Sequence, residues 1–272
     1  MLYQGVHKDG EKIAVKMLYD MPGLDEEQFI NEFNNLSRLQ HPNLVRLVGY
    51  CHEIQKICIE HNGRYIFAER IRMALCFEYM PFGSLDKHLY DEYNELDWKV
   101  RYTLIKRICK GLKYLHEELR PPIYHLDLKP ANILLDENML PKIADFGLSR
   151  FFAGNHSQIT TSSIGTLGYL PPEYTERNLI SDKFDIFSLG VVIIKIVTGP
   201  KGYSRSAEMS PQKFIELAQE NWRKRLQATP MHLLESYSKQ VKKCVEIALS
   251  SVEADRRKRP SIGDMSENWM TT

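Results

Sequence analysis

The chain has no excess of either charge. Thirty-six Lys and Arg stand against thirty-five Asp and Glu, a formal net charge of +1. A dedicated nucleic-acid binder carries a larger basic surplus, so nucleic acid is not an expected partner. Cysteine is scarce and unpaired in pattern. The five residues (51, 58, 76, 109, 244) are odd in number and form no Cys-x-x-Cys, which excludes a disulfide framework or a cysteine zinc site and reads as buried thiols in a reducing compartment. Long apolar runs are missing too: the most apolar stretch, Leu189–Val197, is short and interrupted by Lys195, so no segment spans a bilayer. The N-terminus has no basic-then-apolar leader, and the expectation is a cytoplasmic, cytosol-facing chain. Neither internal repeats nor low-complexity tracts occur. With 43% hydrophobic and 26% charged residues, what remains is an ordinary globular protein, one large or two coupled domains.

The first third reads as strand-rich. Lys12–Leu18 is a β-branched run after the Lys8-Asp9-Gly10 turn, with Ala14, Lys16 and Leu18 on one face. Leu24–Leu39 places Phe29, Phe33, Leu36 and Leu39 at helical spacing behind three acids that suit a helix N-terminus. Asn43–Tyr50 and Met73–Tyr79 read as further strands, and Cys51–Arg72 between them has no assignable pattern. After Pro81-Phe82-Gly83 the pattern becomes helical. Asp97 is a helix cap, and Val100, Leu104, Ile105, Ile108, Leu112 and Leu115 form one stripe behind it. Ile186–Val197, apolar nearly all round, is expected in a core; Phe214–Arg225 and Leu233–Ser251 are further helices. The fold class is therefore α+β: a small β-rich lobe (1–79), a hinge (80–84) and a larger helical lobe (85–272).

The chemistry concentrates between Tyr124 and Gly147. Ile133–Leu135 and Lys142–Ala144 read as two short strands joined by an Asp136–Asn138 turn. Such a hairpin brings its open ends together, so Asn132 before the first strand lies beside Asp145 after the second. Asp127 and Lys129 sit in the loop leading in. Two carboxylates, one amide and one ammonium thus share one mouth, and oxygen ligands of this kind suit Mg²⁺ with phosphate and water completing its shell. An Asp or Asn alone is a common loop residue. The whole string His125-x-Asp127-x-Lys129-x-x-Asn132 followed by Asp145-Phe146-Gly147 is far more specific.

That string resembles the signature of the eukaryotic protein kinases, and the resemblance covers nearly the whole chain. It implies that Lys16 of Ala14-Val15-Lys16 pairs with nucleotide phosphates and with Glu32 on the helix. It also implies that backbone groups of Glu78 and Met80 bond adenine beside Phe77. Asp127 would orient the acceptor hydroxyl and accept its proton, Lys129 would steady the γ-phosphate, and Asn132 and Asp145 would hold Mg²⁺. ATP and Mg²⁺ are thus the implied cofactors and a Ser/Thr-bearing protein the implied substrate. Glu173 of Pro171-Pro172-Glu173 would pair with Arg259, and Asp185 would tether the catalytic loop. Lys129-Pro130-Ala131-Asn132 and Gly165-Thr166-x-Gly168-Tyr169 have the Ser/Thr-kinase form. The phrases at 43–51, 80–85 and 165–174 look most like the plant receptor-like, Pelle-related kinases, a kinship that implies possible plasma-membrane association.

Two features depart from the family pattern. No Gly-x-Gly-x-x-Gly is present. Alignment on Tyr3-Gln4-Gly5 puts Leu2 at the valine that follows that loop, so the family's first strand and glycine-rich loop are expected to be missing, as in a truncated domain. Leu126 stands where many kinases place Arg. The rival reading is accordingly a catalytically weak, pseudokinase-like binding module. The complete set Lys16, Glu32, Asp127, Asn132 and Asp145 favours the enzyme; the missing loop favours the module.

Overall fold

A computed structural model describes residues 2–18, 26–90, 96–151, 157–160, 163–199, 202–227 and 229–270. The chain divides into two compact units, 1–81 and 82–272.

The first unit is a four-stranded antiparallel sheet in the order β1-β2-β4-β3, made of β1 (Leu2–Val6), β2 (Lys12–Met17), β3 (Leu47–His61) and β4 (Arg64–Glu78). Helix α1 (Glu26–Ser37) buries Phe29 and Leu36. It packs on β3 through Phe29 stacked on His52 (5.8 Å between ring centroids) and Phe33 against Tyr50 (4.5 Å). The apolar spacing of the helix is thus the imprint of one sheet face.

The stretch Cys51–Arg72, unassigned from sequence, is the body of a long β-hairpin. Strands β3 and β4 stay in register from Gly49 opposite Cys76 to His61 opposite Arg64, closed by an Asn62-Gly63 turn with both residues at positive φ. The cysteine expectation needs correction with it. All five cysteines are free, but only Cys109 and Cys244 are buried; Cys51 and Cys58 lie exposed on β3 and Cys76 is half-buried. Cys58 lies where the hairpin outruns its sheet and has no core to enter, whereas Cys51 sits opposite Ala74 within the sheet, on its outermost strand.

Among the described residues the second unit is helical, with three two-stranded ribbons. In chain order it comprises α2 (Leu85–Tyr90), α3 (Trp98–Lys113), β5 (Ile123–Tyr124), β6 (Ile133–Leu135), β7 (Pro141–Ile143), β8 (Arg150–Phe151), β9 (Ser157–Ile159), α4 (Pro172–Arg177), β10 (Leu179–Ser181), α5 (Phe184–Thr198), α6 (Gly202–Glu208), α7 (Pro211–Arg225), α8 (Met231–Ser251) and α9 (Ile262–Met270). Asp97 caps α3 by accepting from Val100 N at 2.8 Å. Leu104, Ile105, Ile108 and Leu112 on its stripe are fully buried. Helix α5 is buried around nearly its whole circumference, as its composition requires. Gly190 lets α8 approach it: a Cβ there would stand 2.8 Å from Ser251 Cβ and 2.9 Å from Ala248 O. Among the described residues no helix is long and apolar enough to cross a membrane.

Candidate active site

The site is built on the β6–β7 hairpin. Ile133 pairs with Ile143 and Leu135 with Pro141. Asp136 closes the turn by accepting from Asn138 N and Leu140 N, both at 2.9 Å. At the open end Ala144 N donates to Asn132 O (2.9 Å), which sets Asn132 beside the residue leading into Asp145. The hairpin thereby joins the two halves of the motif.

Asp127 is the centre of a hydrogen-bond network. Its Oδ2 accepts from Lys129 Nζ (2.8 Å) and from Asn132 Nδ2 (2.9 Å), while its Oδ1 accepts from the Thr166 hydroxyl (2.6 Å). Lys129 Nζ also donates to Thr166 Oγ1 at 2.7 Å. Asn132 Nδ2 further reaches the Asp127 carbonyl (2.9 Å), so its amide oxygen is turned away from that carboxylate. With Asp145, which is exposed at the hairpin mouth, this makes one neutral and one anionic oxygen donor. That donor set fits a hard divalent cation that keeps phosphate and water as its other ligands. Among the described residues no cluster of three or more His, Cys, Asp or Glu could hold a metal alone.

The loop is held in an unfavourable backbone conformation. Leu126 and Asp145 both sit at φ +64° without being glycine. Asp185, wholly buried at the start of α5, offsets that cost. Its carboxylate accepts from His125 N (2.7 Å), Leu126 N (2.8 Å) and His116 Nε2 (2.9 Å). Burial alone would raise its pKa, but the hydrogen bond and charge of His116, with the Leu126 N–H, bring it below the ordinary carboxylate value. His125 takes one tautomer: Nδ1 accepts from Asp127 N (3.2 Å), so Nε2 carries the proton and donates to Ala144 O (2.9 Å). Its ring meets Phe146 edge-on at 5.1 Å.

The segment after Asp145 is anchored as firmly. Gly165 at φ +73° admits no side chain, since a Cβ would lie 2.5 Å from Leu170 Cδ2 and 3.0 Å from Leu126 O. Tyr169 O accepts from Ser188 Oγ (2.8 Å), and its hydroxyl accepts from Lys195 Nζ (2.9 Å). Burial, with the charge of Asp86, pushes the Tyr169 pKa up to about 12. Glu173 and Arg259 form a bidentate pair at 2.8 and 2.7 Å, with Ser181 Oγ donating to the same carboxylate. Leu126 is fully buried in a cluster with Tyr124, Ile164, Tyr174, Ile180 and Phe184.

The sequence-derived residues divide between the two units. Asp127, Lys129, Asn132 and Asp145 belong to the second, where the first three are hydrogen-bonded together. Lys16, Glu78 and Met80 belong to the first. Lys16 lies on β2 in register with Leu75, and Met80 is buried. Glu78 N donates to Arg46 O (3.0 Å) and its side chain accepts from Arg46 N (2.8 Å). Glu32 lies within α1, but its side chain, and with it the expected pair to Lys16, falls outside the described residues. Thr166 was legible only as part of a Ser/Thr-type phrase; its place on Asp127 was not.

The chain belongs to the protein kinase family, whose protein kinase domain profile matches residues 1–270. It is 38% identical over 275 residues to the G-type lectin S-receptor-like serine/threonine-protein kinase SD1-13 of Arabidopsis thaliana, covering 99% of this chain and 31% of that protein. It is 39% identical over 273 residues to the Arabidopsis thaliana cysteine-rich receptor-like protein kinase 26, covering 97% and 39%. The chain thus spans about a third of the length of these plant receptor-like kinases. Among solved structures, the pseudokinase domain of BIR2, an immune regulator of the RLK/Pelle family, is similar with a TM-score of 0.69 and 26% identity, covering 99% of this chain and 77% of that one. The two-lobed kinase fold is therefore established.

Proposed function

We propose that the chain transfers the γ-phosphoryl group of ATP to Ser or Thr hydroxyls of a protein substrate, in receptor-linked signalling. One observation carries this reading: the Asp127 carboxylate is held by Lys129, Asn132 and Thr166 together, with the amide oxygen of Asn132 directed away from it. Asp127 orients the incoming hydroxyl and takes its proton as the O–P bond forms. Lys129, already ion-paired to Asp127, carries the positive charge that a transferring phosphoryl group requires. Asn132 and Asp145 hold Mg²⁺, which when bound neutralises phosphate charge and fixes its orientation. Lys16 takes the α- and β-phosphates and is steadied by Glu32, and the Glu78 carbonyl and Met80 N–H take the adenine edge. Catalysis of this kind is positioning plus charge stabilisation, so these groups act as a set.

A second reading, a binding module that transfers no phosphate, is favoured by the likeness to a pseudokinase domain. Incubation with γ-labelled ATP, Mg²⁺ and a generic Ser/Thr-rich acceptor protein separates the two. Transfer by the chain, abolished in Asp127→Asn while ATP binding persists, supports the enzyme; Asp145→Asn weakens the Mg²⁺-dependent binding as well. Equal incorporation in the chain and in Asp127→Asn removes Asp127 from the chemistry. No transfer with retained nucleotide binding favours the module.

A further inference from the structure

The β3–β4 hairpin extends well past its sheet. Strand β2 pairs with β4 only between Ala74 and Glu78, and among the described residues no strand pairs with the outer edge of β3. Among the described residues, the hairpin from Glu53 to Arg72 is a two-stranded ribbon with no strand on either edge. Between its charged residues it exposes large apolar side chains: Phe67 is 83% exposed, Tyr65 78% and Ile54 54%. Residues opposite each other share a face, so Cys58 lies beside Phe67 on one side, while Ile57 with Ala68 and Ile59 with Ile66 make two adjacent apolar rows on the other. A two-stranded ribbon with apolar groups on both faces is marginal in water, and an open apolar edge is a template for another strand.

The order of residues along that edge names the strand that fits. Lys56-Ile57-Cys58-Ile59-Glu60 has an isoleucine on each side of Cys58 and opposite charges beyond them. An identical strand laid antiparallel with Cys58 opposite Cys58 sets Lys56 against Glu60 of the second copy, and Glu60 against its Lys56. Ile57 faces Ile59 in the same way, both times. A parallel in-register pairing would place lysine on lysine and glutamate on glutamate. A one-residue antiparallel slip would set both charges against uncharged residues and move each row to the wrong face. We infer that this chain forms a two-fold homodimer by edge-to-edge pairing of β3, centred on Cys58, which joins two ribbons into one four-stranded sheet. The Ile57–Ala68 and Ile59–Ile66 rows of the two copies then run on as one apolar surface. The contact is isologous and closes on itself, so it gives a dimer and not a filament. Because it uses only the first unit, it does not rest on the proposed catalytic activity.

The test is sedimentation velocity of the 272-residue chain from low micromolar to near-millimolar concentration. A monomer–dimer equilibrium is expected. Lys56→Glu alone and Glu60→Lys alone, both at exposed positions, each set like charges opposite and should sediment as monomers with unchanged far-UV circular dichroism. An equimolar mixture of the two, and the double variant Lys56→Glu/Glu60→Lys, should recover the dimer, a rescue that misfolding could not produce. Diamide, which accepts the two electrons and two protons released by a pair of thiols, should link the dimer through Cys58, since opposed residues lie within disulfide reach. The link should persist in Cys51→Ser and vanish in Cys58→Ser. A folded wild-type chain that stays monomeric leaves the ribbon to a partner of another sequence and overturns the proposal. So does a dimer indifferent to both charge reversals, or one linked through Cys51.

Discussion

Thr166 donates its hydroxyl proton to Asp127 Oδ1 at 2.6 Å while accepting from Lys129 Nζ at 2.7 Å. One hydroxyl on the later segment therefore bridges the acid and the ammonium of the loop. It fixes the Asp127 carboxylate by its Oδ1 as Lys129 and Asn132 fix it by its Oδ2.

Removal of that bridge is expected to lower kcat with little change in the KM for ATP. A hydrogen bond to a charged group contributes about 1.5–3 kcal/mol, so Thr166→Ala should turn over roughly ten- to a hundred-fold more slowly. Thr166→Ser, which keeps the hydroxyl, should remain within a few-fold. Initial rates against varied ATP measure both. Equal rates for the alanine and serine variants would show that the bridge does not position Asp127.

The Glu173–Arg259 pair is expected to dominate the stability of the second unit at its C-terminal end. The guanidinium is fully covered, bonds also to Glu253 O (2.7 Å), and lies over the Phe187 ring. Arg259→Met leaves the largely covered Glu173 carboxylate without its cation, held only by the Ser181 hydroxyl, and should cost about 3 kcal/mol in urea unfolding. Burial raises the Glu173 pKa, but Arg259 and Ser181 overcome it and the folded value lies below the ordinary 4.5. A depressed folded pKa means the contribution is fully present above 4.5 and is lost as pH falls through the folded value. In Glu173→Gln that acid-side loss should shrink; an identical acid limb in both proteins would contradict it.

Asp185 acts through the backbone of the catalytic loop. Asp185→Ala removes the acceptor for His125 N and Leu126 N and leaves Leu126 at positive φ without its anchor. Hydrogen exchange at the amides of residues 125 and 126 should rise by at least ten-fold, with kcat falling in parallel. Protected amides in a folded variant would remove Asp185 from this role. Its folded pKa is also depressed, so its contribution is present above 3.8 and is lost at lower pH.

Phosphorylation of the hydroxyls at 160–163 is not expected to be the main on-switch. A phosphate adds roughly −1.5 to −2 charge and orders a loop through a waiting cation. At 126 the chain instead buries a leucine among Tyr124, Ile164, Tyr174 and Phe184. Thr161 and Ser162 lie outside the described residues, while Ser163 is exposed. Alanine at all four positions should change the initial rate within a few-fold. A hundred-fold loss with the fold intact would refute this.

Local chemistry was enough to read much of the second unit. The Asp97 cap, the α3 stripe, the apolar α5 and the Asp136 turn depend on neighbours three or four residues away, and each stands where spacing and side-chain type place it. The motif from His125 to Asp145 was equally legible, because a hairpin with a tight turn necessarily returns Asn132 to the side of Asp145. Strand extents in the first unit were not. A strand announces itself by alternation only when one face is buried, and from Glu53 to Arg72 neither face is, so β3 and β4 carried no period to read there and the exposure of Cys58 went unseen. Thr166 met Asp127 across 39 residues of chain, a separation over which no periodicity holds. That contact is set by the packing of Gly165 on Leu126 and the anchoring of Tyr169 on α5. Short-range order follows from rotamers and turns that adjacent residues impose on one another; the closing contacts of the site depend on which distant surfaces the folded core presses together.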